Sequence, residues 1–65
     1  MVSGMDDELT LLLSTRIGAT MEDASVIALT LRGLNPAEQA EAVAELDRKT
    51  EMITCLVRAL QLLAR

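Results

Sequence analysis

The chain has 65 residues and a mass of 7.0 kDa, which bounds it to one small domain. Chains below roughly 70–80 residues seldom bury enough apolar surface on a single core, and add disulfides, a metal or a partner. One cysteine, Cys55, and no histidine exclude an internal disulfide and the common zinc sites, which leaves association with itself or with another protein.

Hydrophobic residues make up 51% of the chain, with no Phe, Tyr or Trp, so any core is aliphatic. The net charge is −4, from six basic and ten acidic residues. Arg16, Arg32, Arg48, Lys49, Arg58 and Arg65 are scattered. Nucleic-acid binders cluster such charges on phosphates, so nucleic acid is disfavoured as a partner. No basic start followed by an apolar run reads as a signal peptide. The apolar-rich stretch 52–64 is interrupted by Thr54, Arg58 and Gln61 and falls short of the ~20 apolar residues of a membrane span. The expectation is a soluble, cytoplasmic protein of prokaryotic type.

Residues 1–5, with Ser3 and Gly4 and no periodicity, read as a flexible start. From Asp6 the pattern is helical, and Asp6, Asp7 and Glu8 put negative charge in a first turn, where the helix dipole favours it. Alternating steps of four and three give the seam Leu13, Ile17, Thr20, Ala24, Ile27, Leu31 and Leu34, apolar except for Thr20. Ser14, Thr15, Gly18 and Thr20 lower helix propensity, and Thr20 to Asp23 resembles a fresh N-terminus, so helix 1 (about 6–32) is one rod or two pieces. The seam keeps its register through this region, which favours the rod.

The turn spans residues 33–35. Gly33 is suited to the left-handed conformation that ends a helix, with Leu34 folding back on Leu29. Asn35 is an N-cap, Pro36 suits the first helical position, and Glu38 completes a capping box. Helix 2 then covers about 36–64, with the seam Gln39, Val43, Leu46, Thr50, Ile53, Val57, Leu60 and Ala64. Glu45 and Lys49 form an i,i+4 pair, and Arg58 and Arg65 lie toward the C-terminal end. The polar Gln39 and Thr50 read as seam layers whose amide and hydroxyl are hydrogen-bonded locally. A short connection makes the helices antiparallel neighbours. The fold class is all-α: an antiparallel helical hairpin, pairing into a dimeric four-helix bundle.

At Leu34, Asn35, Pro36, Ala37, Glu38, Gln39 and Ala40, then Leu46, then Cys55, Leu56, Val57, Arg58, Ala59 and Leu60, the chain resembles the Rop family of plasmid RNA modulators. The resemblance covers most of residues 8–61 and is one of pattern more than identity. It implies a hairpin that dimerises into a four-helix bundle. The family's RNA-contacting face uses lysines, amides and an exposed aromatic; the positions here are Glu8, Thr15, Ala19, Asp23 and Thr30. No cation, amide or aromatic stands there, so RNA binding, which the resemblance implies, ranks as a third reading, below a homodimeric module and a partner-dependent one. A looser likeness, through Arg32, Gly33, Gln39 and residues 48–53, is to the YscE-type co-chaperones of type III secretion. That resemblance implies a helical hairpin held by a helical-repeat partner.

No catalytic constellation is present, and an enzyme is not expected; no cofactor is implied. Without histidine, acid–base work would fall to the clusters Asp6, Asp7, Glu8; Glu22, Asp23; and Glu38, Glu41, Glu45, which read as solvated helix faces. Cys55 lies away from the seam and reads as a small apolar residue in a second contact surface. That surface is the more informative feature. Met52, Cys55, Leu56, Ala59, Leu62 and Leu63 leave only Thr54, Arg58, Gln61 and Arg65 as a polar strip on the last third of helix 2. An apolar surface nearly all round marks a buried helix. Antiparallel pairing brings Leu9, Leu11, Leu12 and Leu13 to the same open end. Either a second copy covers these residues, or a different helical protein docks there; a membrane-surface helix is disfavoured by the sparse Lys and Arg.

Overall fold

The computed structural model describes residues 4–64. Two long helices, α1 (Gly4–Thr30) and α2 (Pro36–Leu63), lie antiparallel and pack against each other. A 3₁₀ turn, Leu31–Gly33, joins them. The hairpin is a rod of about one helix pair in cross-section, 53 × 15 × 11 Å.

α1 takes in Gly4 and Met5, which the composition assigns to the flexible start; no breaker stands between Gly4 and the acidic turn. Residues 1–3 and Arg65 lie outside the described residues. α1 runs unbroken through residues 17–20 despite their low propensity. Packing holds it there: Ile17 is 9% exposed and Thr20 5%, the lowest values among the described residues. Thr20 donates its hydroxyl to the Arg16 carbonyl at 2.7 Å, and its oxygen lies 3.9 Å from the Met52 sulfur across the hairpin. The hydroxyl is thereby satisfied within its own helix, which removes the cost of burying it.

The helix end at the turn corrects one expectation. Gly33 does not adopt the left-handed conformation, and no described residue has a positive φ of that kind. Instead the chain tightens: Leu34 N–H donates to the Leu31 carbonyl at 3.2 Å, and the Gln39 amide from α2 donates to the same oxygen at 2.9 Å. A 3₁₀ closure satisfies the carbonyl that a left-handed cap would otherwise serve. Leu34 does not cover Leu29, which stands 80% exposed. Arg32 in this last turn complements the helix dipole.

α2 starts with a full capping box. Glu38 N–H donates to the Asn35 side-chain oxygen at 2.8 Å, and Asn35 N–H donates to the Glu38 carboxylate at 3.1 Å. Pro36 follows at the first helical position, where its missing N–H costs nothing.

On α1 the least exposed described residues are Leu13, Ile17, Thr20, Ala24, Ile27 and Leu31, continuing to Leu34. On α2 the side turned to α1 differs from the expected line. It runs through Gln39, Ala42, Leu46, Lys49, Ile53, Leu56 and Leu60, with Glu45 and Ala59 half-buried beside it, while Val43, Thr50, Val57 and Ala64 remain exposed. Both lines have heptad spacing and are apolar at most positions, so α2 offers two nearly equivalent stripes, and pairing with α1 selects the one bearing Leu56. Lys49 is tolerated on it because the ammonium reaches out to the carboxylates of Glu45 at 3.5 Å and Asp23 at 3.8 Å.

Candidate interaction surface

A hairpin of two helices has two broad faces. On α1, Ser14, Met21 and Ala28 each follow a seam residue by one position. On α2, Val43, Thr50 and Val57 each follow a residue turned to α1. Reversing a right-handed helix reverses its sense of rotation about the viewing axis, so these two sets of followers share one face of an antiparallel pair. None of the six is charged.

The preceding positions share the opposite face: Leu9, Arg16, Asp23 and Thr30 from α1, with Glu38, Glu45, Met52 and Ala59 from α2. The ion pairs report the same arrangement, since Lys49 joins Glu45 of its own helix to Asp23 of the other. Arg48 adds a close pair with Glu45. The Arg48 guanidinium, by hydrogen bond and then by charge, holds the Glu45 carboxyl below the usual carboxylate range, with Lys49 adding to it.

The register, set by Thr20 beside Met52, Asp23 beside Lys49 and Leu31 bonded to Gln39, carries on to place Leu9 at the level of Leu62 and Leu63. The open end is therefore leucine-rich. By helical position Leu9, Met52 and Ala59 lie on the charged face, beyond its ion pairs, with Leu12 at its outer margin, while Leu63 continues the line of Ala42, Lys49 and Leu56 turned to α1. Leu56, expected there, is instead half-buried between the helices. Cys55 and Leu62 point outward from α2 and are exposed, and Leu11 points outward from α1. The expected partner surface is thus divided between one face, two outer edges and the line turned to α1.

The hairpin leaves most of its large apolar side chains in water. Leu9, Leu11, Leu12, Met21, Val26, Leu29, Val43, Met52, Val57, Leu62 and Leu63 are all exposed. The accessible surface is 5184 Å²; a compact monomer of this mass exposes about 4,000 Å². Met21, Val26 and Leu29 escape a reading confined to seam positions. Their signal is the step from the seam, one position for Met21 and further round the helix for the other two.

Among the described residues no group of His, Cys, Asp and Glu side chains is arranged to hold a metal ion, and no helix is long and apolar enough to cross a membrane. The described residues enclose no pocket. What the molecule presents chemically is apolar surface on a helical rod. Comparison with protein-family models, characterised proteins and solved structures gives no match to this chain.

Proposed function

We propose that the chain is a small non-enzymatic interaction or regulatory module whose working form is a homodimeric four-helix bundle, resembling the assembly of the Rop family. The observation that carries this reading is the incomplete core. Only Ile17 is a buried hydrophobic residue among those described, while both helices leave leucines, valines and methionines in water. The surface exceeds that of a compact monomer by roughly 1,100 Å² per chain. A typical stable interface covers about 800 Å² per partner. A second hairpin is the simplest object that supplies the missing half of the core.

The test is solution mass by light scattering with refractive-index detection, since no Trp or Tyr supports absorbance at 280 nm, together with far-UV circular dichroism. A helical species of twice 7.0 kDa is expected. A poorly helical species of single mass overturns the reading.

A second reading is favoured by one observation, the leucine-rich open end. It is a partner-dependent co-chaperone or assembly factor of the YscE type, with a helical protein seated on Leu9, Leu12 and Leu62. Under that reading Leu12→Asp or Leu62→Asp leaves the mass of the isolated protein unchanged and abolishes capture of the partner. Capture undiminished by both substitutions removes it.

A further inference from the structure

Resting on the reading of the chain as a homodimer, we infer that the second copy docks on the uncharged face, the one carrying Ser14, Met21 and Ala28 of α1 and Val43, Thr50 and Val57 of α2. The two faces differ first in what covering them would cost. The uncharged face offers Met21, Val43 and Val57, which are 50%, 53% and 37% exposed, separated by small or hydroxylated residues. The Thr50 hydroxyl already donates to the Leu46 carbonyl at 2.9 Å, so covering it strands no donor. Covering the opposite face would bury Arg16 and the linked charges of Asp23, Glu45 and Lys49, and desolvating ions commonly costs more than their pairing returns.

The second argument is the direction of the apolar stripe on α2. A helix in a four-helix bundle aims its apolar stripe between its two neighbours, not at one of them. The residues of α2 turned to α1 run through Ala42, Lys49 and Leu56. Val43, Thr50 and Val57 widen that stripe by one uncharged position along most of α2 on the side of the uncharged face, whereas on the other side Met52 and Ala59 widen it only beyond Glu45. On the uncharged side Leu46 and Ile53 lie between the two lines. Lys49 and Glu45 interrupt the widening the other way. The next neighbour of α2 therefore belongs on the uncharged side.

A two-fold interface presents the same patch from both copies, so the patch must tolerate itself. Like charges would oppose one another on a face that holds them, and the positions beside the seam on this face hold none from Ser14 to Ala28 and from Val43 to Val57; Asp47, one step further round α2, stands at its outer margin. The surplus surface exceeds what a stable interface removes from each partner, so one such face suffices for the dimer.

The experiment compares single substitutions in the full chain by light scattering over a dilution series, with circular dichroism on each sample. Val57→Glu and Met21→Glu should raise the concentration at which the dimer half-dissociates by about tenfold or more. Leu12→Glu, at the outer margin of the opposite face, should shift it by less than about threefold. Because a charged variant can lose its fold with its dimer, Thr50→Val is the companion: it should lower the dissociation midpoint by extending the apolar strip. A dimer dissociated by Leu12→Glu as strongly as by Val57→Glu and Met21→Glu, or indifferent to the latter two, overturns the choice of face and leaves the homodimer standing. A Thr50→Val chain that dissociates more readily counts against the face in the same way. A wild-type chain monomeric throughout overturns the homodimer itself and assigns the surface to another protein.

Discussion

Gly33 shows how a single residue can carry a true signal for the wrong geometry. Glycine after an apolar seam marks a helix end, and α1 does end there, but by a 3₁₀ turn whose residues all keep negative φ. The glycine is then not required for its conformational freedom, and a Cβ built at it meets nothing within 4 Å. Gly33→Ala should therefore be neutral or stabilise by up to about 1 kcal/mol, through the unfolded chain, whereas a left-handed cap would be destabilised. A chemical-denaturation midpoint decides the sign. The cue that separates these outcomes is Gln39, whose amide serves the Leu31 carbonyl from eight residues away. A local reading of the turn has no access to that bond, because it exists only once α2 has folded back.

At the scale of the element, α1 and α2 differ in how far their packing can be read from the sequence. The α1 seam is bounded by Ser14, Arg16, Asp23 and Thr30, so only one stripe is apolar enough to bury, and the least exposed residues are those on it. On α2, Ala42 and Val43, and again Leu56 and Val57, are adjacent apolar pairs, so periodicity alone fits two stripes. Tertiary pairing chooses between them. The start of α2 is local and was fully specified by the side chains at residues 35–38: Asn35→Ala removes the bond to the Glu38 N–H and should cost about 1 kcal/mol, with a matching fall in thermal midpoint.

The ion pairs of α2 make a pH-dependent contribution of known sign. The Glu45 carboxyl is held below its ordinary value of 4.5, chiefly by Arg48. Its contribution is fully present above that value and is lost as the pH falls through the ordinary value toward the lowered one. The Glu45 side chain is 40% exposed, so the effect is small and screened by salt. The melting temperature of the wild type should fall more between pH 5 and pH 3 than that of Glu45→Gln, and the difference should shrink in high salt. Equal acid slopes for the two proteins would mean that the pair with Arg48 contributes nothing to the fold.

For the whole molecule, the hairpin places only a single line of side chains between its helices, and that line includes a lysine and a threonine. Ile17 and Thr20 at its centre are closed off; the rest of the seam is shared with water. The length and the missing aromatics already implied that such a chain would need a partner, because two helices enclose no volume that a third and fourth would. The face that partner takes was not readable before the helices were paired, since Val43, Thr50 and Val57 served equally well as an intramolecular seam. If the missing core is supplied by a second copy, folding and association are one equilibrium, and stability depends on protomer concentration. Two chains of this length unfold with an entropy that makes the melting temperature rise by roughly 5 °C per tenfold increase in concentration. Ile53→Asp, which puts a charge on the stripe shared by both candidate partners of α2, should abolish helix and dimer together. A melting temperature that is independent of concentration, or an Ile53→Asp chain that stays helical as a monomer, would show that the single seam between α1 and α2 is enough to hold the fold.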